Sequence, residues 1–398
     1  MPVSGQIKRL LLMNASSTVI FNYIGIFVNL YIWEKNHNIF EVVWFNLIMF
    51  ATWTLAFAVG SRVLTSYTTR VLIRANAICG GIVFLLLSVL ELENRLMWIT
   101  IISIPIGVMW GFYASAQNIT LSVYGKGKDF EQYFAIANII NQIVSIINPI
   151  AFALIIKWMG YSGSFLLMFL FVALLFIVSF YIPTITLAGE RMPLFQGIRF
   201  KRVYSTPSLR WMVPSLMAAG VFLQFQVLFA LVFTFSVSED KLVIALLNVL
   251  YACFAIGAMM LYRRLKVREG AWLNIGMLFI SVGFLLPLFP KAPILIISNI
   301  LTTIGMFYFG TVWNTRQFRI ITKQTAMKQA QIFLWRECFL NVSRIFMLIL
   351  ALSVKDIRGG AFIALIALAL VCTLVVPYFS GRSTKAFEQQ SEEAESAI

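Results

Sequence analysis

The chain has 398 residues, of which 60% are hydrophobic and only 12% charged, and its mean hydropathy is +0.88. A soluble domain carries about 25% charged residues, so this composition excludes a water-soluble globule and defines an integral membrane protein. The formal charge of +15 is spread over short basic clusters between apolar runs, which argues against one nucleic-acid-binding patch.

Lys8 and Arg9 precede an apolar run over 10–33 that is too long for a signal-peptide core, so it reads as a retained first helix. Eleven further runs follow at 42–64, 72–90, 97–122, 133–157, 163–185, 211–235, 241–262, 271–289, 293–315, 331–354 and 360–379. Each is near the roughly 20 residues that cross about 30 Å of hydrocarbon, so twelve transmembrane helices are expected. The basic residues gather in alternate loops, among them Arg62, Arg70 and Arg74, then Arg199, Lys201, Arg202 and Arg210, then Arg263, Arg264, Lys266 and Arg268. Lys and Arg favour the cytoplasmic side, which places both termini inside a cytoplasmic membrane.

Helix one carries Asn14, Thr18, Asn22, Gly25 and Asn29 at helical spacing, a continuous polar stripe. Helix four brings Tyr113, Gln117 and Asn118, and helix five presents Asn138, Asn141, Gln142, Ser145 and Asn148 before Pro149. Helix ten ends in Trp313, Arg316 and Gln317. Amides in lipid need partners, so these faces are read as walls of a polar path, against the blander reading of interhelical packing.

Helix eleven, 331–354, is the most unusual span because it contains Arg336, Glu337, Asn341 and Arg344. A charge at mid-membrane costs at least about 2.5 to 3.5 kcal/mol, so such residues mark a bundle interior or a water-filled path. Glu337, Asn341 and Arg344 share one helical face. Arg344 is read as an attractor for an anionic group, and Arg336 as a partner for the Glu337 carboxylate. A carboxyl group whose wetting and arginine contacts alternate can bind and release a proton, which makes Glu337 the candidate for proton coupling.

The sequence divides into an N-terminal six-helix bundle at 1–185, a basic cytoplasmic linker at 186–210, a C-terminal six-helix bundle at 211–379 and a disordered cytoplasmic tail at 380–398. The halves look related: shifting by 199 residues carries Gly111 onto Gly310, and Asn138, Gln142 and Ser145 onto Glu337, Asn341 and Arg344. The four cysteines are dispersed and there is a single histidine, so no metal site, disulfide framework or cofactor is expected. No nucleophile and base constellation suggests an enzyme, and no GxxxxGK[ST] pattern suggests ATP.

Twelve spans, two related halves, cytoplasmic termini and a basic central loop together resemble the major facilitator superfamily of secondary transporters. Between its helices two and three that superfamily carries a glycine, an aspartate, a second glycine and basic residues. Here the stretch 60–73, GSRVLTSYTTRVLI, keeps Gly60 and Arg70 and has Leu64 where the aspartate is expected. The glycine-rich antiporter motif of helix five is reduced to Asn148 and Pro149.

The resemblance implies an all-α membrane protein in two pseudo-symmetric bundles, working by alternating access about a site lined mainly by helices one, four, seven and ten. The expected function is movement of a small anionic or amphipathic solute by a monomer in contact with membrane lipids. A lipid or glycolipid flippase on the same scaffold, or a non-transporting receptor or assembly partner, stays open as an alternative. The inside orientation has a direct check: a cysteine introduced by Ser205→Cys is expected to resist an impermeant thiol reagent added outside intact cells. Labelling there would invert the topology.

Overall fold

The computed structural model describes residues 5–64, 66–90, 92–124, 128–182, 198–265 and 267–396, and the described residues are helical apart from short connections. The first part of the linker, 186–197, and residues 397–398 lie outside the described residues. The chain divides into two compact units, Met1–Gln196 with Ser238–Val249, and Gly197–Val237 with Leu250–Ile398.

In the first unit, α1 (Gly5–Tyr23) runs through a π-helical turn at Ile24–Val28 into α2 (Asn29–Asn36). Left-handed His37, with φ of 47°, ends α2, and the Asn38 side chain accepts the Phe40 backbone N–H at 2.9 Å to start α3 (Ile39–Val63). Three further helices follow: α4 (Thr69–Val89), α5 (Arg95–Tyr124) and α6 (Lys128–Val178). Gly160 breaks α6 with a φ of +70°, which a side chain would resist, so this one element makes two crossings. Packing pairs α3 with α5, α1 with α6, and α4 with both α5 and α6. The segment Ser238–Val249 is tied into this unit by Lys241, which meets Glu34 at 3.0 Å and lies 5.2 Å from the Tyr161 ring.

The second unit begins with a short helix α7 (Phe200–Val203), held by a 2.7 Å hydrogen bond from Trp335 Nε1 to the Ile198 carbonyl and by Phe200 against Trp335 and Phe339. Then come α8 (Pro207–Val237), α9 (Lys241–Arg264), whose first residues belong to the first unit, and α10 (Glu269–Leu285) with a 3₁₀ turn at Leu286–Leu288. The chain ends with α11 (Ala292–Ile321), α12 (Ala326–Ala351) and α13 (Gly360–Ser396). Within this unit α8 packs against α11, α12 and α13, and α10 against α11.

Among the described residues, ten helical segments are long and apolar enough to cross a membrane. One of them, Ile139–Val178, holds both crossings of α6. The 26-residue α12 is long enough as well, and its charged residues set it apart from the rest. The twelve spans expected from the sequence are accounted for in this way. Large apolar side chains face outward in rows, for example Leu166, Leu170, Leu174 and Ile177 along α6, as hydrocarbon contact requires.

One expectation needs correction. The segment from Ser380, read as a disordered tail, continues α13 to Ser396. Its Ala, Glu, Gln and Lys content favours helix, and Ser383 donates to the Ser208 carbonyl at 2.6 Å while Ser208 donates to Gln390 at 3.1 Å. These bonds anchor the first turns beyond the span to the start of α8.

Close helix approach depends on glycine. A Cβ on Gly305 of α11 would sit 2.6 Å from the Gly276 carbonyl oxygen and 2.9 Å from the Ile280 nitrogen of α10, whereas one on Gly310 would meet nothing within 4 Å. Gly111, the repeat counterpart proposed for Gly310, is packed tightly against Trp53 and Ala56 of α3, so these two positions do different work. Gly305→Ala is expected to lower the thermal unfolding midpoint in detergent, at a cost of about 1–3 kcal/mol, while Gly310→Ala leaves it unchanged or slightly raised.

Candidate functional site

In the first unit the polar faces of α1, α5 and α6 meet. Tyr113 donates to Asn14 at 2.9 Å, and Asn14 Nδ2 and Thr18 Oγ1 donate to the Asn141 carbonyl oxygen at 3.3 and 3.0 Å. One turn further along α1, Asn148 Nδ2 donates to the Val19 backbone carbonyl at 3.2 Å and to Asn22 Oδ1 at 2.8 Å. A backbone carbonyl can only accept, so Asn148 has one allowed orientation, and Asn22 must offer its oxygen. Gln117 Nε2 donates to the Tyr133 hydroxyl at 3.2 Å.

Asn22, Tyr113, Gln117 and Asn141 therefore join hydrogen-bonded networks, whereas Asn118 and Gln142 are half-buried on the same helices. Asn29 instead turns to the Gly25 carbonyl, beside the π-helical turn, and accepts from Asn46 at 3.1 Å. The Asn138 side chain lies outside the described residues.

In the second unit a cluster forms around Arg336 of α12. Its Nε donates to Gln317 Oε1 at 2.8 Å, its Nη1 to Glu337 Oε1 at 2.9 Å and its Nη2 to Asn314 Oδ1 at 3.1 Å. The guanidinium carbon lies 5.6 Å from the Trp313 ring centre, and Trp313 Nε1 donates to Ser215 of α8 at 3.0 Å. One guanidinium thus joins two helices through four side chains, and Trp313 extends the contact to a third. Glu337 is buried, at 8% exposure, with Asn341 one turn away at 0%. Arg344 Nη1 donates to Asn341 Oδ1 at 3.4 Å, and Arg344 is electrostatically coupled to both Glu337 and Arg336.

Of the residues named from the sequence, the structure brings Trp313, Gln317, Glu337, Asn341 and Arg344 into one neighbourhood. Arg316 groups elsewhere, with Glu269, Arg319 and Glu388 around it. Arg336, read from the sequence as a partner for the Glu337 carboxylate, makes the direct ion pair at 2.9 Å.

Asn314 and Ser215 escaped the sequence reading. Asn314 had a usable signal, because it lies three residues before Gln317 on one helix face; a single serine gives none. Also unforeseen is Asn299, which donates to Ala230, Thr234 and Tyr251. Glu41, read as lying outside the second span, is 5% exposed inside α3, held by Arg95 at 3.2 Å and Asn36 at 2.6 Å.

No protein-family model and no curated protein matches the sequence. Among solved structures, a POT family transporter in complex with 5-aminolevulinic acid superposes with a TM-score of 0.71 at 14% identity, covering 95% of this chain and 96% of that one. A peptide transporter POT in complex with sulfate gives 0.71 at 12% identity, with 96% and 95% covered. A bacterial homologue of the iron transporter ferroportin, in an inward-facing state, gives 0.63 at 12% identity over 96% and 98%. The chain is a multi-pass integral membrane protein with the major-facilitator fold. Within that fold its structural neighbours include the proton-dependent oligopeptide transporters.

Burial makes the Arg336–Glu337 pair asymmetric to mutation, since removing one partner strands the other charge. Arg336→Met is expected to destabilise the folded protein by about 3–5 kcal/mol. Combining it with Glu337→Gln should recover much of that loss. Thermal unfolding of the two variants in detergent reads this directly, and equal midpoints for both would show that the stranded Glu337 carboxylate carries no cost.

Proposed function

We propose that this chain is a secondary active transporter that carries a small anionic or amphipathic solute across the cytoplasmic membrane by alternating access, with a proton coupled through Glu337. The observation that carries the reading is the buried 2.9 Å pair of Arg336 and Glu337, placed in a helix of membrane-spanning length. A carboxylate there is expensive unless it is paired, and a proton can take the place of its partner. Likeness of fold to transporters solved with 5-aminolevulinic acid and with a thioalcohol-conjugated peptide supports small-molecule transport as the class.

The chemistry follows from who competes for Arg336. With Glu337 ionised, one of its oxygens occupies the Arg336 Nη1 donor. When Glu337 takes a proton, that donor is freed for an anionic solute group, so proton and solute load together. Release of the proton returns the carboxylate to Arg336 and expels the solute anion. The solute-contacting residues we assign are Asn22, Asn29, Tyr113, Gln117, Asn118, Asn138, Asn141 and Gln142 within the first unit, and Trp313, Arg316, Gln317, Asn341 and Arg344 within the second. The transporter acts as a monomer with both termini in the cytoplasm.

Proteoliposomes loaded with a pH-sensitive dye test the coupling. Adding 5-aminolevulinic acid or dialanine outside is expected to acidify the lumen with the wild type. Glu337→Gln keeps the shape and removes the titration, so it should abolish solute-driven acidification while the purified variant still unfolds cooperatively. Unchanged proton movement in that variant would rule out Glu337 as the coupling group.

A further inference from the structure

Arginine only donates, so each amide that faces it must present its oxygen, and the amide nitrogen is thereby turned away. This fixes three orientations in the cluster. Gln317 gives Oε1 to Arg336 Nε, Asn314 gives Oδ1 to Arg336 Nη2, and Asn341 gives Oδ1 to Arg344 Nη1. Two of the released amino groups are conspicuous: Gln317 Nε2 and Asn341 Nδ2 are fully shielded, on side chains 5% and 0% exposed, with no hydrogen-bond partner among the described residues.

A buried donor left unmatched costs on the order of 1–3 kcal/mol. Two of them, each on an amide held by its own arginine, would be selected against unless an acceptor arrives in the working cycle. The charge points the same way, since both amide oxygens are turned toward guanidinium groups, Gln317 toward Arg336 and Asn341 toward Arg344.

We infer that Gln317, Asn341 and Asn314, oriented by Arg336 and Arg344, form a donor-lined subsite for the oxyanion group of the solute, a carboxylate or a phosphate. This deepens the transport reading above and rests on it. The arginines supply the charge, and their second task is to aim the amides. An oxyanion has two or three acceptor oxygens in a compact arrangement, so it can take several N–H groups where a neutral carbonyl takes fewer. Chloride lacks that spread of oxygens, and a cationic group would be repelled by the Arg336 guanidinium, which already engages the Glu337 carboxylate. Glu337, one turn or about 6 Å along α12 from Asn341, is the internal competitor that the solute displaces.

The test uses conservative reversals of the donors. Asn341→Asp and Gln317→Glu keep the oxygen that the arginine needs but replace the amino group by a second acceptor with negative charge. Succinate and inorganic phosphate serve as probes, with chloride as the control, and thermal unfolding of the purified full-length protein reads binding through ligand stabilisation.

Succinate, phosphate or both should raise the wild-type midpoint, and the one that does so identifies the oxyanion. Each variant should lose affinity by about tenfold or more. Glu337→Gln should bind the same anion more tightly than the wild type. Midpoints without anion report folding of each variant, and should Asn341→Asp fail to fold, Gln317→Glu carries the test alone. Equal stabilisation of the wild type and both variants would overturn the subsite, as would no stabilisation of the wild type by either anion. Neither result bears on solute-driven acidification, so this inference can fall while proton coupling through Glu337 stands, and the reverse.

Discussion

Everything distinctive in the second unit depends on one guanidinium. Arg336 sits in a helix of membrane-spanning length, and it is held by Gln317, Asn314 and Glu337 at 2.8 to 3.1 Å with the Trp313 ring beside it. A desolvated arginine tolerates such a place only when its fork of donors is matched. Meeting that demand links α12 to α11 through the side chains of Gln317 and Asn314, and Trp313 passes the constraint on to α8 through Ser215. Charge solvation and helix packing are therefore one requirement here. The geometry of Glu337 is a by-product of satisfying Arg336.

The first unit solves its polar problem without charge. Tyr113, Asn14, Thr18 and Asn141 share hydrogen bonds across α1, α5 and α6, and Asn148 with Asn22 forms a second link anchored on the Val19 carbonyl. Each such bond in a membrane contributes modestly, averaging about 0.6 kcal/mol, because the separated helices would find other partners. What the network supplies is orientation. The π-helical turn at Ile24–Val28 falls between Asn22 and Asn29, and widened turns of this kind often occur at functional positions.

Span count and the charged face of α12 could be read from the sequence because both follow from local rules, hydrocarbon thickness and helical periodicity. Arg336 as the partner of Glu337 could be read too, from their adjacency, but the other groups that hold Arg336 could not. Spacing along a helix says which side chains share a face and not which residues of another helix meet them, and Gln317 and Asn314 accept from Arg336 across from α11. Glu41 was missed for a different reason: α3 starts at Ile39 with an Asn38 cap, earlier than the apolar run suggests, and Arg95 of α5 compensates the buried acid. The helical extension to Ser396 was missed because composition alone reports solvation, whereas the bonds of Ser383 and Gln390 with Ser208 are long-range.

The same limit explains what the repeat does and does not preserve. Gly111 and Gly310 are 199 residues apart and both lie on a helix of their unit, yet only Gly111 is pressed against a neighbouring backbone; in the second unit that contact is made by Gly305 against Gly276. An ancient duplication keeps the order of spans longer than it keeps any one packing site, since a close contact can move by a helical turn or so with small residues at either place. Polar stripes are bound more tightly, because an amide or a charge moved by one position turns through about 100° and faces lipid. That asymmetry is why the face of Glu337, Asn341 and Arg344 stood out in the sequence while the glycine contacts did not.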